Sequence, residues 1–242
     1  MTPQGVISLL KRYGPTGFGL LLLLGALYVV QREFRGLSWQ DIQNALHATP
    51  AKALWLAAGC TIATYLGLSA YDRLGSIYAG HPVSWRRSLL ASFCAYSLAN
   101  NIGFATVSGA AVRYRFYASW GLSPVAIAKV IAITSLTFGL GGFTIAGLVL
   151  VLEPDLLGVL GQGAPSWLLP LLGLCCWAIV ITYVVLARFV PHFRLFGHEI
   201  TLPGVKMALA QVLLASVDVA ITAMIFFVLL PPAEGLSFLR FL

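Results

Sequence analysis

From Ser88 to Val112 the chain carries no Asp, Glu, Lys or Arg, and further long charge-free runs occur on both sides of it. At ~1.5 Å per residue, about 20 apolar residues in a helix cover the roughly 30 Å hydrocarbon core of a bilayer. Only 10% of the residues are charged and 59% are hydrophobic, whereas soluble domains carry roughly 25% charged residues. That is too little charge to cover a surface facing water. The runs lack strict alternation, which favours helices over a lipid-facing barrel. The chain therefore reads as an all-α polytopic integral membrane protein over residues 1–242, with no soluble domain.

About five full spans are expected, over residues 13–30, 53–70, 124–152, 167–187 and 205–230. Lys11 and Arg12 before the first run mimic a secretory signal. A small-x-small cleavage site is not evident after Val30, so the first span is read as uncleaved. Residues 36–50 predict a short helix capped by Ser38, with Trp39, Ile42, Ala45 and Leu46 on one face. Such a helix either lies on the membrane surface or simply connects two spans. Ser123 followed by Pro124 is a strong helix start. The segment GLGGFTIAG, residues 139–147, supplies the small residues that close helix packing in a bilayer needs. Cys60, Cys94, Cys175 and Cys176 sit inside apolar runs and read as small packing residues, not as a disulfide framework or metal ligands. The chain stops in an apolar SFLRFL, which reads as the start of a further span and of a longer protein.

The formal net charge is +7, but the basic residues stand at the ends of apolar runs. They therefore indicate topology and anionic lipid headgroups, not nucleic acid. If residues 88–112 crossed the membrane once, with a cytoplasmic N-terminus, most of the 15 Lys and Arg would face outside. If they make no net crossing, the bias reverses and only Arg32, Arg35, Lys52 and Arg240 remain outside. The charge pattern thus predicts a re-entrant helical hairpin near 88–120, within a segment bounded by 88–122. Asn100, Asn101 and Gly103 would serve its break and Ser108-Gly109 a second one.

Charges in or near spans are costly and face a partner or a wet cavity. Asp72, Arg73, Arg113, Arg115, Lys129 and Asp218 are the candidates. Arg113 and Arg115 either bind a phosphate through the planar guanidinium fork or only set topology. Tyr114, Phe116 and Tyr117 suit an interfacial aromatic belt. Asp72 either pairs with the adjacent Arg73 or joins a site. Asp218, midway along the last span, needs a basic partner or a cationic headgroup. His47, His81, His192 and His198 fall in expected loops without zinc spacing. A phosphate-cradling loop is also missing. No catalytic residue, metal or cofactor is expected.

The stretch NNIGFATVSGAAVRYRFYASWGLS, with YDRLG upstream, resembles the membrane region of the bacterial bifunctional lysylphosphatidylglycerol synthetases/flippases, the multiple peptide resistance factor family. The resemblance is strongest from Tyr71 to Lys129. It implies a bacterial plasma-membrane protein with a cytoplasmic N-terminus and possible homodimers. Its flippase region would move aminoacylated phosphatidylglycerol to the outer leaflet, giving resistance to cationic antimicrobial peptides. In full-length relatives a C-terminal domain transfers the aminoacyl group from charged tRNA. The family's functional acid and arginine match Asp72 and Arg113, and a later acid matches Asp218. With the polar residues of the central stretch added, the expected substrate-binding set is Asp72, Asn100, Asn101, Ser108, Arg113, Tyr114, Arg115 and Asp218. Two alternatives stand beside translocation. One is the membrane part of a phosphatidylglycerol lysyltransferase whose chemistry lies beyond residue 242. The other is a scaffold that transports nothing.

Overall fold

The computed structural model describes residues 31, 38–102, 105–154, 165, 167–190, 192–195, 198–231 and 235–242. The side chains of 100–102, 105–108, 192–195 and 198–200 fall outside that description. The first expected span, 13–30, lies outside the described residues. The chain divides into two units, residues 1–50 and 51–242.

In the first unit, helix α1 (Trp39–Ala48) starts where the sequence places it. Ser38 accepts from the Asp41 amide, and Asp41 reaches back to the Ser38 amide at 2.8 Å. This reciprocal cap satisfies two N-terminal donors. Trp39, Ile42 and Leu46 are exposed on one face. The bonds from Ser38 hold the Asp41 carboxyl below its ordinary 3.8. A depressed carboxyl stabilises the fold above its unfolded value, and the effect is lost as pH falls through the folded one. Amide exchange at residues 38 and 41 is therefore expected to be steady from neutral pH down to about 4, once corrected for intrinsic rates. It should rise below that, and Ser38→Ala should give fast exchange at every pH.

The second unit is a helical bundle, and its chemistry is that of a membrane protein. Helices α2 (Ala51–Tyr78), α5 (Pro124–Leu152), α6 (Leu168–Phe189) and α7 (Val205–Leu229) are long and apolar enough to cross a bilayer. Their outer faces expose Ile62, Phe138, Ile181 and Leu213, a surface suited to hydrocarbon and not to water. The protein is an all-α polytopic integral membrane protein.

Between α2 and α5 stand two shorter helices, α3 (Trp85–Ile102) and α4 (Ala105–Ser119). Arg87 lies over the Trp120 ring, and Arg113 over that of Tyr96. The Cβ position of Gly109 is 3.7 Å from that of Ala99. As one number rises the other falls, so the pair is an antiparallel hairpin that returns the chain to the end where α3 began. At ~1.5 Å per residue α4 is only ~22 Å long. Ser108-Gly109 is not a second break, because α4 runs straight through it. A side chain at Gly109 would meet the Arg113 Nη1 at 3.3 Å, so this glycine makes room for the guanidinium. Helix α3 runs to Ile102 and α4 starts at Ala105.

Small residues decide how closely the long helices approach, because lipid tails give apolar side chains little reason to leave them. The Cβ position of Gly141 on α5 is 2.6 Å from the Ala215 backbone of α7. That of Gly147 falls against Trp177 of α6, whose indole donates to the Thr144 carbonyl at 3.1 Å. The small-residue segment thus packs on two neighbours at once. One turn below Gly141, Gln211 is fully buried; it donates to Thr137 at 2.8 Å and accepts from Tyr183 at 2.6 Å. This polar knot joins α5, α6 and α7. Helices α5 and α7 run parallel, while α2 runs against α7 through Thr64 and Thr222. The ends of α2, α4 and α6 and the starts of α3, α5 and α7 therefore gather at one end, with Arg86, Arg87, Lys129, Arg188 and Lys206. The other end carries Lys52 and an exposed Arg240–Glu153 pair at 2.9 Å, a class of contact with little stabilising effect.

The segment after α6 departs from expectation. His192–Leu195 and His198–Thr201 form a two-stranded antiparallel hairpin, with His192 opposite Thr201 and Leu195 opposite His198. The sequence reading made it a loop. Its signal was an alternating run broken by Phe196-Gly197. Tyr78 ties the hairpin down by donating to the Thr201 carbonyl. His47 is likewise not in a loop but in the last turn of α1. The closing Phe238–Phe241 is a short helix, α8, against Phe227 of α7. All four cysteines are free.

Candidate functional site

The inner face of α2 repeats at helical spacing: Leu68, Ser69, Asp72, Gly75 and Ser76 are buried. Period 3.6 puts these residues on one stripe, and it puts Asp72 and Arg73 about 100° apart. The expected alternative of an Asp72–Arg73 pair is therefore overturned. Asp72 is fully buried and turns inward to Arg113 of α4, whose Nε donates to its two oxygens at 3.0 and 3.2 Å. Arg73 turns outward and donates to the Val83 carbonyl at 2.8 Å.

The period of α4 sorts the RYRFY motif in the same way. Residues four apart share a face, so Arg113 and Tyr117 both point into the bundle. Tyr117 is fully buried and donates to Asp72 Oδ2 at 3.1 Å. This corrects the expectation that Tyr117 belongs to an interfacial belt. Tyr114 and Arg115 lie on the other face, exposed, and take no part in the cluster. The Tyr96 ring of α3 closes over Arg113 at 4.6 Å, a cation–π contact that strengthens when water is excluded.

Asp218 of α7 enters from the far side of α2. It is 4% exposed, and Oδ2 accepts from Tyr71 at 2.9 Å. Tyr71 itself is fully buried, next in sequence to Asp72. Gly67 of α2 lies beside the other oxygen: a Cβ there would stand in ordinary contact, 3.5 Å from Oδ1. Asp72, Arg113 and Asp218 are thus gathered about one helix, linked through neighbouring residues of α2. Sequence reasoning missed Tyr71, Tyr96, Tyr117 and Gly67. Helical spacing from Arg113 could have found Tyr117; nothing local marks Tyr96 or Gly67. The side chains of Asn100, Asn101 and Ser108 lie outside the described residues.

The cluster is not closed. The Nη2 of Arg113 and Oδ1 of Asp218 are buried without a hydrogen-bond partner among the described residues. Buried polar atoms are nearly always paired, and leaving one unpaired costs about 1–3 kcal/mol. One open atom is a cationic donor and the other a carboxylate acceptor. The Asp72 charge answers Arg113, whereas Asp218 has no basic side chain in salt-bridge contact among the described residues. The arrangement suits a ligand with an anionic acceptor at one end and a cationic donor at the other. No group of three metal-ligating side chains occurs among the described residues.

No family model matches the chain. The chain is similar to slr0712, an uncharacterized protein of Synechocystis, with 28% identity over 236 residues. That match covers 95% of this chain and 71% of the relative. It is also similar to the inner membrane protein YbhN of Escherichia coli, with 30% identity over 217 residues. Here 87% of this chain and 66% of the relative are covered. The chain therefore spans just under two thirds of YbhN.

Proposed function

We propose that this chain is a lipid-translocating region of a bacterial inner membrane, and that its substrate is a phospholipid with an amine on its headgroup, such as lysyl-phosphatidylglycerol. One observation supports the reading: a buried cationic donor atom, Arg113 Nη2, and a buried carboxylate acceptor atom, Asp218 Oδ1, both without a hydrogen-bond partner among the described residues, on either side of α2. The phosphate meets Arg113, whose guanidinium keeps Nη2 for it while Nε holds Asp72. The amine meets Asp218. Acyl tails stay in the bilayer, so only the headgroup leaves water. Fixed charges of opposite sign reduce the cost of moving that headgroup through hydrocarbon.

On this reading the basic end of the bundle is cytoplasmic, and the N-terminus lies on the same side. The α3–α4 hairpin is re-entrant and presents Arg113 from that leaflet. The α1 helix lies at the interface on its apolar face. Carrying an aminoacylated lipid outward lowers the negative surface charge and supports resistance to cationic peptides.

The test supplies lysyl-phosphatidylglycerol from a separate synthase in a bacterial host. Lipid in the outer leaflet is then measured with an amine-reactive dye that does not cross the membrane. Asp218→Asn keeps the acceptor for Tyr71 and removes the charge. It is expected to reduce outer-leaflet lipid roughly tenfold or more, the weight of one charge-assisted bond, at constant total lipid. Equal outer-leaflet exposure in the variant and the parent chain would sink the reading.

A further inference from the structure

The outer face of α2, opposite the buried cluster, lines a cavity of about 450 Å³ that also touches the start of α3 and the first half of α7. Its walls are apolar, among them Ala70, Ile77, Ala210, Leu213 and Val217, with one charge, Arg73, and one indole, Trp85. The volume falls within the roughly 300–1,000 Å³ of ligand sites. We infer that this furrow is a second lipid site, distinct from the buried cluster, that holds an anionic phospholipid with its phosphate at Arg73 and an acyl chain along α2 and α7.

Three observations select that occupant. Arg73 has no carboxylate in ion-pair contact among the described residues, so its charge stays uncompensated. Its long stem runs beside the apolar wall, while the guanidinium reaches the Val83 carbonyl in the turn before α3. A basic head drawn toward the end of the bundle above an apolar stem is the snorkelling geometry of a bilayer boundary. Trp85 stands at the same level, half-exposed, as indoles do at the headgroup layer. Arg86 and Lys206 are exposed at this end as well and add to the positive field. A zwitterionic lipid brings no net charge to that field, whereas phosphatidylglycerol brings one negative charge. The furrow needs no step at Asp218 or Arg113, so it stands apart from the translocation reading.

Native mass spectrometry of the full chain, released from detergent with equal phosphatidylglycerol and phosphatidylcholine of matched chains, tests it. The unmodified chain is expected to keep phosphatidylglycerol about tenfold better, the weight of one charge-assisted contact. Arg73→Ala should bring the two lipids level. Ala210→Phe, which fills the furrow and keeps Arg73, should lower retention of phosphatidylglycerol by a similar factor. Equal retention of the two lipids by the unmodified chain, or undiminished preference in Arg73→Ala, would overturn the inference. So would retention that falls in Asp218→Asn but not in Arg73→Ala, which would place the bound lipid at the buried cluster.

Discussion

Replacing Arg113 with alanine is expected to destabilise the bundle by about 3–5 kcal/mol, the scale for removing one partner of a buried ion pair. Asp72 is fully buried, and Tyr117 would remain as its neutral donor. The loss is that of an uncompensated charge and not the net strength of the pair. The double variant Asp72→Asn with Arg113→Gln should therefore recover part of the loss, because neither residual group carries charge. Unfolding of the purified chain in detergent, compared across the parent, Asp72→Asn, Arg113→Gln and the double, gives the coupling directly. Losses that simply add would show that the pair is not a unit. Arg115→Ala is the control: Arg115 is exposed, and its removal should change stability by less than ~0.5 kcal/mol.

Gly141→Ala is the second large effect. The added methyl would lie 2.6 Å from the carbonyl carbon and oxygen of Ala215. These are backbone atoms of another helix and cannot rotate aside. Helices α5 and α7 must separate, which strains the Gln211–Thr137 bond one turn away. The cost is expected near the upper end of the 1–3 kcal/mol range for overpacking, at about 3 kcal/mol. Gly142 is adjacent in sequence and has nothing within 4 Å of its Cβ position. Gly142→Ala should be neutral or stabilising, since alanine is the better helix former by up to ~1 kcal/mol. Equal unfolding midpoints for the two variants would refute the close contact.

Much of the architecture was legible because the bilayer allows few solutions. Four described helices match expected spans, since long charge-free runs have little choice but to form helices in lipid. The caps at Ser38 and Ser123 were legible because capping is local chemistry within four residues. The β-hairpin after α6 was missed although its alternation was present. In a chain so rich in spans, a ten-residue polar segment passed as a connection.

The site divides along the same line. Composition and charge placement put Asp72, Arg113 and Asp218 among six candidates, with Arg73, Arg115 and Lys129, because ionisable groups are rare within apolar runs and costly there. The resemblance narrowed them to Asp72, Arg113 and Asp218. Spacing along α4 would have separated Arg113 from Arg115, since helical period is a property of sequence. What only tertiary structure decided is pairing. Asp72 joins Arg113, 41 residues away, and not its neighbour Arg73; Asp218 meets Tyr71, 147 residues away. Local sequence does not encode those distances. They follow from the antiparallel return of α4 and from glycines at 109 and 141, which let a charged side chain and a helix come close. The same packing leaves Arg113 Nη2 and Asp218 Oδ1 without partners among the described residues. The sequence could supply the charges, but only the packed helices decide which atoms remain open to a ligand.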